Sequence, residues 1–312
     1  MDKPIYALVG PTGIGKTGWV LRAGERHPCA VISVDSVQVY RGMDIGTAKP
    51  AASERSVVPH SLIDVCAPDV AYSAADFCRD ACTALEAIRS EGVRTPLLVG
   101  GSMFYLRALL SGLASTGGAA PEIRSTIRRE AAERGWAALH AELAREDPEA
   151  AARIAPADGI RIGRALEVLR ATGEPLSRHQ RRGRTSPWTH PVEVVALMPD
   201  SRADLHRALG ERVKSMLAAG LIDEIRALMD QYGFDPSLPA WRAVAYRQGA
   251  QYLRCGGTLD QLADSIAAAS RQLAKRQMTW IRQWPGIRVI QSARDENNYM
   301  RSSSHPLDFI FE

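Results

Sequence analysis

The chain has 312 residues, 46% hydrophobic and 24% charged, with a formal net charge of +4, a size that accommodates one large or two modest domains. Its hydrophobic fraction and mixed charge are those of a soluble globular protein, and no apolar run is long enough to span a bilayer as a helix. No signal-peptide pattern precedes Gly10, so a cytoplasmic location is expected, and five cysteines without a C-x-x-C pair suggest neither a disulfide framework nor a zinc ribbon.

The first predicted strand, Ile5–Val9, runs into "GPTGIGKT" and then a predicted helix over Trp19–Gly24. The stretch fits G-x-x-x-x-G-K-[ST] in full, in the strand-then-helix context the motif requires. Gly10, Pro11, Thr12, Gly13, Ile14, Gly15, Lys16 and Thr17 are therefore the candidate phosphate site. Backbone N–H groups of Gly13 to Lys16 should converge on phosphate oxygens at a helix N-terminus, with Lys16 neutralising them and Thr17 reaching a Mg2+ ion. The next predicted strand, Ala30–Val34, ends in Asp35 and Ser36. A nucleotide hydrolase holds its metal with a second carboxylate at another strand end. Asp35 is the carboxylate that strand-end geometry places beside the phosphates; the alternative is that it caps a helix.

Farther along, Ser73 and Asp76 stand in capping-box spacing ahead of a helix whose stripe is Phe77, Ala81, Leu85 and Ile88. The run Leu97–Val99 reads as a strand and ends in Gly100, Gly101 and Ser102, with no acid. From Ala114 the pattern changes. "ASTGGAAPE" reads as a linker, Glu122 to Thr172 is helical in composition without a strand, and "RHQRRGRTSPWTHP" reads as a loop before the strand Val192–Met198. Beyond it, Leu205, Leu209, Val213 and Leu217, and then Leu259, Leu262, Ile266 and Leu273, keep helical spacing. The tail after Ala293 is polar and irregular and is expected to be partly disordered despite its apolar end. The expected fold class is α/β: a P-loop NTPase-like parallel sheet core with helices on both faces, plus an inserted all-helical domain. The core would be discontinuous, residues 1–113 and 188–312, with 114–187 as the helical insertion.

The segment after Asp35, "DSVQVYRGMDIGTAKP", is not what a kinase or GTPase needs. Together with the phosphate loop it resembles the tRNA isopentenyltransferase (tRNA dimethylallyltransferase) family, whose hallmark is G-P-T-x-x-G-K-T followed by D-S-x-x-x-Y-x-G-[ML]-D-I-G-T-A-K-P. Further matches are "PHSLID", "AYSAADF", "LLVGGSMFY", "RALEVLRATG", "WRAVAYRQ" and "RQLAKRQMTWIR". The resemblance implies that the cradle holds the diphosphate of dimethylallyl diphosphate (DMAPP), with Mg2+, and that this diphosphate is the leaving group. It implies alkylation of N6 of the adenosine at tRNA position 37, in tRNAs reading codons that begin with U. It casts Asp35 as the base that takes the N6 proton and Ser102, where the family has threonine, as the hydroxyl on the bridging diphosphate oxygen. Arg242 would assist the diphosphate, although Ala245 replaces the glycine of the family's R-x-x-G-Y-R stretch.

The resemblance also implies a channel into which the target base is flipped, and a partner, the tRNA anticodon stem-loop. Ser36, Val37 and Gln38 match tRNA-contacting positions, as do Arg161 and Arg164, where Ile160 replaces the family's glutamine. Arg247 and the basic residues of "KRQMTWIR", Lys275, Arg276 and Arg282, are counted with them. The run Arg178 to Arg184 would suit stem phosphates, whereas Ala120 stands where relatives are often acidic. A bacterial type is expected, since no zinc-finger spacing is present, and a monomer is expected as well. The alternatives are an adenylate isopentenyltransferase acting on free AMP, ADP or ATP, a small-molecule kinase with ATP in the cradle, and a nucleotide-gated RNA-binding module. A helical insertion argues against a free-nucleotide substrate, because gripping an RNA stem needs surface that a nucleotide does not.

Overall fold

Among the described residues six strands form one all-parallel sheet in the order β3-β2-β4-β1-β5-β6. They are β1 (Ile5–Val9), β2 (Cys29–Val34), β3 (His60–Ser61), β4 (Thr95–Gly100), β5 (Val192–Met198) and β6 (Arg288–Gln291). The computed structural model describes residues 4–117, 120–292 and 307–311. Every residue of β2 is buried, which is why "CAVISV" reads as a continuous apolar run rather than an alternating one. Four of the strands appear where the hydrophobic runs predict them. β3 and β6 were not anticipated: two residues carry no periodicity, and "RVIQ" buries only Ile290.

From β1 the chain crosses over β4 to reach β2, whereas after β4 it goes on to β5 on the other side of β1. The loops at the carboxyl ends of β1 and β4 therefore leave in opposite directions, and the crevice between them is where a sheet of this class binds ligands. Around the sheet lie α1 (Lys16–Gly24), α2 (Ala52–Val57), α3 (Ala74–Glu91) and α4 (Met103–Ser111). α3 is anchored as its sequence says. Ser73 and Asp76 cap each other reciprocally, and Phe77, Ala81, Leu85 and Ile88 are buried, a cap worth about 1 kcal/mol and large side chains worth roughly 1.5–3 kcal/mol each.

The chain divides into two compact units, Met1–Leu110 with Pro187–Glu312, and Ser111–Ser186. The described elements of the second are helices: α5 (Pro121–Arg134), α6 (Trp136–Glu146), α7 (Pro148–Ala151), α8 (Gly159–Thr172) and α9 (Leu176–Arg181). Their own core gathers Ile127, Leu139, Leu143, Ile162 and Leu166. α9 corrects the expected loop, because Arg178 to Arg181 lie in its last turn. The first unit resumes with α10 (Arg202–Ala218), α11 (Leu221–Tyr232), α12 (Tyr246–Cys255) and α13 (Leu259–Arg282). Within α10 Met216 rather than Leu217 is buried, and Leu259, the first residue of α13, is 55% exposed. Residues 294–306 and 312 of the expected irregular tail lie outside the described residues. Its apolar end is ordered into the core: Leu307 and Ile310 join the cluster of Leu8, Val31 and Leu97.

Ala245, directly before α12, has φ 76 and ψ −51. A side chain strains that backbone by roughly 1–3 kcal/mol, which gives a physical reason for the glycine that the resemblance puts there. Ala245→Gly should therefore stabilise the protein by about 1 kcal/mol after the extra freedom of the unfolded chain is subtracted. Thermal melting would show a rise of a few degrees; an unchanged or lower Tm would contradict the strain.

Candidate active site

The turn "GPTGIGKT" ends at Gly15, which precedes α1 with φ 87 and ψ 20 and offers no side-chain cap. Only glycine adopts that backbone without strain, and lacking a cap it leaves the first N–H groups of α1 for an anion. Lys16 folds back over the turn, its Nζ donating to the carbonyls of Gly10 (2.9 Å) and Pro11 (3.1 Å). Burial pushes its ammonium down to about 8, with Asp35 acting against the shift and Arg212 adding to it. Ile14 packs into the core cluster instead of facing a ligand.

A cleft of about 360 Å³ opens here, lined by Gly13, Gly15, Lys16 and Thr17 on one side and by Asp35, Gln38 and Arg212 on others. Gly100 and Gly101 at the end of β4 complete the floor. Asp35 stands directly after β2, and its Oδ1 accepts the N–H groups of Val37 (2.8 Å) and Gln38 (3.2 Å). Asp35 caps no helix, since the next one begins at Ala52; Oδ1 fixes a turn, and Oδ2 remains for a proton. Ser102 Oγ accepts the Ser36 N–H (3.0 Å) and donates to Ser36 Oγ (3.1 Å). That pair ties the loop after β2 to the loop after β4.

Two cleft residues do not stand out in the sequence: Arg212 lies in no quoted motif, and Gln277 lies inside "KRQMTWIR", where only the basic residues draw notice. Arg212, on α10, donates to the Thr47 carbonyl at 3.2 Å; burial lowers its pKa, opposed by the charge of Asp35. Gln277, on α13, accepts the Thr12 N–H (2.8 Å) and donates to the Gly101 carbonyl (3.0 Å), joining the phosphate loop to the β4 loop. Both sit in core-facing register, Arg212 beside Leu209 and Val213 and Gln277 beside Met278 and Ile281. A polar residue on an otherwise apolar stripe is the signal that marks them.

Arg242 does not line the cleft. It ends a short 3-10 turn, Ala240–Arg242, is exposed, and donates to the Ser237 carbonyl at 2.8 Å. Arg247, Lys275, Arg276 and Arg282 are all exposed, the first on α12 and the others on α13. In the helical unit Arg161 is exposed and pairs with Asp158 at 3.4 Å. Arg164 is held inside that unit, by buried Glu167 (3.1 Å) and by Thr116 (2.7 Å). The basic run is partly neutralised as well, Arg178 and Arg182 by Glu174 and Arg181 by Glu149.

Among the described residues no three His, Cys, Asp or Glu side chains gather to hold a metal. What the cleft offers beside the phosphate turn is the Thr17 hydroxyl. That donor fits Mg2+, which keeps several waters and is bound through one or two protein ligands plus substrate phosphates.

A family model described as IPP transferase matches residues 38–284. The chain is 48% identical over 295 residues to a tRNA dimethylallyltransferase of Thiobacillus denitrificans, covering 94% of this chain and 93% of that one. It is 34% identical to the solved full-length tRNA isopentenylpyrophosphate transferase of Bacillus halodurans, with a TM-score of 0.65 over 96% of this chain and 94% of that one. A eukaryotic dimethylallyltransferase seen in crystallographic snapshots acting on tRNA is 25% identical, with a TM-score of 0.80 over 99% of this chain and 80% of that one.

The depressed ammonium of Lys16 has a consequence for anion binding. Below about pH 8 Lys16 is charged in the free protein and attracts phosphate oxygens; as pH rises through that value the charge is lost. Affinity for inorganic diphosphate, measured by calorimetry with Mg2+, should fall above about pH 8 by up to roughly tenfold per pH unit relative to Lys16→Arg, whose charge persists. Parallel profiles for the two proteins would remove Lys16 from the anion site.

Proposed function

The chain belongs to the IPP transferase family, and from that membership we propose that it transfers a dimethylallyl group from DMAPP to N6 of the adenosine at position 37 of tRNAs reading UNN codons. The observation that carries this reading is the meeting of a glycine-capped phosphate turn, two half-buried cations and one strand-end carboxylate in a single cleft. A phosphate cradle supplied for a leaving group needs positive charge where negative charge builds. Lys16, Arg212 and the N-terminal amides of α1 provide it.

The reaction follows from these positions. The N6 lone pair attacks the allylic carbon of DMAPP, the carbon–oxygen bond breaks, and its electrons leave with the diphosphate. Adenine N6 is a weak nucleophile because its lone pair is delocalised, so a base must take its proton as the new bond forms. Asp35 is that base, through the oxygen its turn leaves free. Ser102 would orient the bridging oxygen, and its own orientation is set by the Ser36 N–H. Mg2+ held by Thr17 and the diphosphate would add Lewis-acid stabilisation of the departing charge.

Within this reading tRNA is engaged by Ser36, Val37 and Gln38 at the cleft and by exposed Arg247, Lys275, Arg276 and Arg282. Arg161 would take a backbone phosphate from the helical unit. Arg212 fills the diphosphate-binding role expected of Arg242.

Purified protein should be incubated with Mg2+, DMAPP and either unmodified tRNA or free AMP, and the digested nucleosides weighed by mass spectrometry. A dimethylallyl gain on adenosine from tRNA alone is expected. Gain on AMP would move the protein to nucleotide alkylation, and no gain on either would overturn the proposal. Asp35→Asn should lower kcat by about 10²–10⁴-fold without raising the KM for DMAPP, since the loss removes a negative charge from the anion site. An unchanged kcat would exclude Asp35 as the base.

A further inference from the structure

The loop that supplies Thr47 to Arg212 is itself gripped by an acidic side chain that no motif includes. Glu224, on α11, accepts three successive backbone N–H groups: Asp44 (3.1 Å) and Ile45 (2.7 Å) on Oε2, and Gly46 (3.3 Å) on Oε1. Oε1 also accepts the hydroxyl of Tyr246, the first residue of α12, at 2.6 Å. Tyr246 is fully buried, and its pKa is raised by burial and by the charge of Glu224. Its ring lies so close to the loop that a Cβ at Gly46 would stand 2.5 Å from it.

The next residue along is Thr47, whose carbonyl takes the Arg212 guanidinium. Lys49 closes the far end of the loop, donating to the Tyr40 carbonyl (2.8 Å) and to Asp44 and Asp64 (2.6 Å each). Arg212 is half-buried, and the acceptor that orients its guanidinium is a loop carbonyl rather than a carboxylate. The position of that carbonyl is set one residue earlier, by a charge-assisted set of hydrogen bonds of the stronger kind.

We propose that Glu224, fixed by Tyr246, is a positioning residue for Arg212: it locks the Asp44–Gly46 amides, which sets the Thr47 carbonyl, which aims the guanidinium into the anion cleft. The proposal rests on the reading of that cleft as a diphosphate site. Glu224 does not touch the anion; it acts through Arg212, so its effect must disappear when Arg212 is gone.

The test is a double-mutant cycle. Affinity for inorganic diphosphate with Mg2+ is measured for the wild type, Glu224→Gln, Arg212→Ala and the double variant, together with kcat and KM for DMAPP. Arg212→Ala should weaken diphosphate by roughly 30-fold or more, as loss of a charge-assisted contact does. Glu224→Gln should weaken it by roughly tenfold and raise the KM for DMAPP more than it lowers kcat, yet change affinity less than about twofold in the Arg212→Ala background. Tyr246→Phe, a near-isosteric change, should act in the same direction and vanish in the same background, so the cycle can be closed even if Glu224→Gln folds poorly. Equal factors in both backgrounds, or no effect of either variant on the wild type, would overturn the positioning role while leaving the cleft intact. Unaltered diphosphate affinity in both Arg212→Ala and Lys16→Ala would overturn the diphosphate reading of the cleft, and this proposal with it.

Discussion

Lys16 and Arg212 both face Asp35 in the cleft, whereas the other lining carboxylate, Glu54, is turned to the Ala51 N–H, and much of the surrounding structure follows from that imbalance. Lys16 and Arg212 are each made less basic by burial, and Asp35 is the charge that opposes the loss in both. Lys49, close by, is different: it is paired with Asp44 and Asp64. Partly desolvated charge without a full ionic partner is destabilising to the empty protein. An anion entering the cleft supplies the missing charge, so part of its binding energy comes from relieving what the fold holds unfavourably. Under the proposed reaction, diphosphate leaving an allylic carbon would gain charge at the moment these groups can use it, which is the condition for stabilising a transition state more than a ground state.

Holding such an arrangement requires that loops from different strands cannot drift apart. The turn after β1 is tied to the turn after β4 by Gln277, and the turn after β2 is tied to the same β4 turn by the Ser36–Ser102 pair. The Asp44–Lys49 loop is tied to α11 and α12 by Glu224 and Tyr246. Each tie is a polar contact between segments far apart in sequence. The sheet brings the loops to one edge, and these contacts fix their register there.

The legible part of the protein was the contiguous part. Residues Gly10 to Thr17 and Asp35 to Pro50 announce themselves because backbone chemistry around an anion constrains neighbours in sequence, and four strands and the α3 cap follow from local periodicity. Arg212 and Glu224 lie in no motif, and Gln277 lies within "KRQMTWIR" without standing out from it. Each occupies the core-facing stripe of its helix: Arg212 with Leu209 and Val213, Glu224 with Leu221, Ile225 and Leu228, and Gln277 with Ile281. Read as periodicity, such a position is a blemish in an apolar pattern. Read as physics, it is a polar group that the fold turns inward and must satisfy. Arg242 is the converse case, a motif position that is absent from the cleft lining and whose guanidinium donates to the Ser237 carbonyl.

The same distinction sorts the arginines of the helical unit. Arg161 and Arg164 lie one turn apart on α8 and look equivalent by spacing, but their carboxylate partners differ. Asp158 is half-buried at the start of the helix, and the side chain of Arg161 is 70% exposed. An exposed pair of that kind contributes about 0–1 kcal/mol, so an RNA phosphate can take the place of the aspartate at little cost. Glu167 is 3% exposed and is held by Arg124 and the Ala120 N–H as well as by Arg164. Drawing Arg164 outward would leave part of a buried carboxylate unpaired, a penalty a single phosphate contact does not offset. Arg161 is therefore the arginine of the two that is free to meet RNA, and Arg164 is the one that keeps the helix carrying it in place.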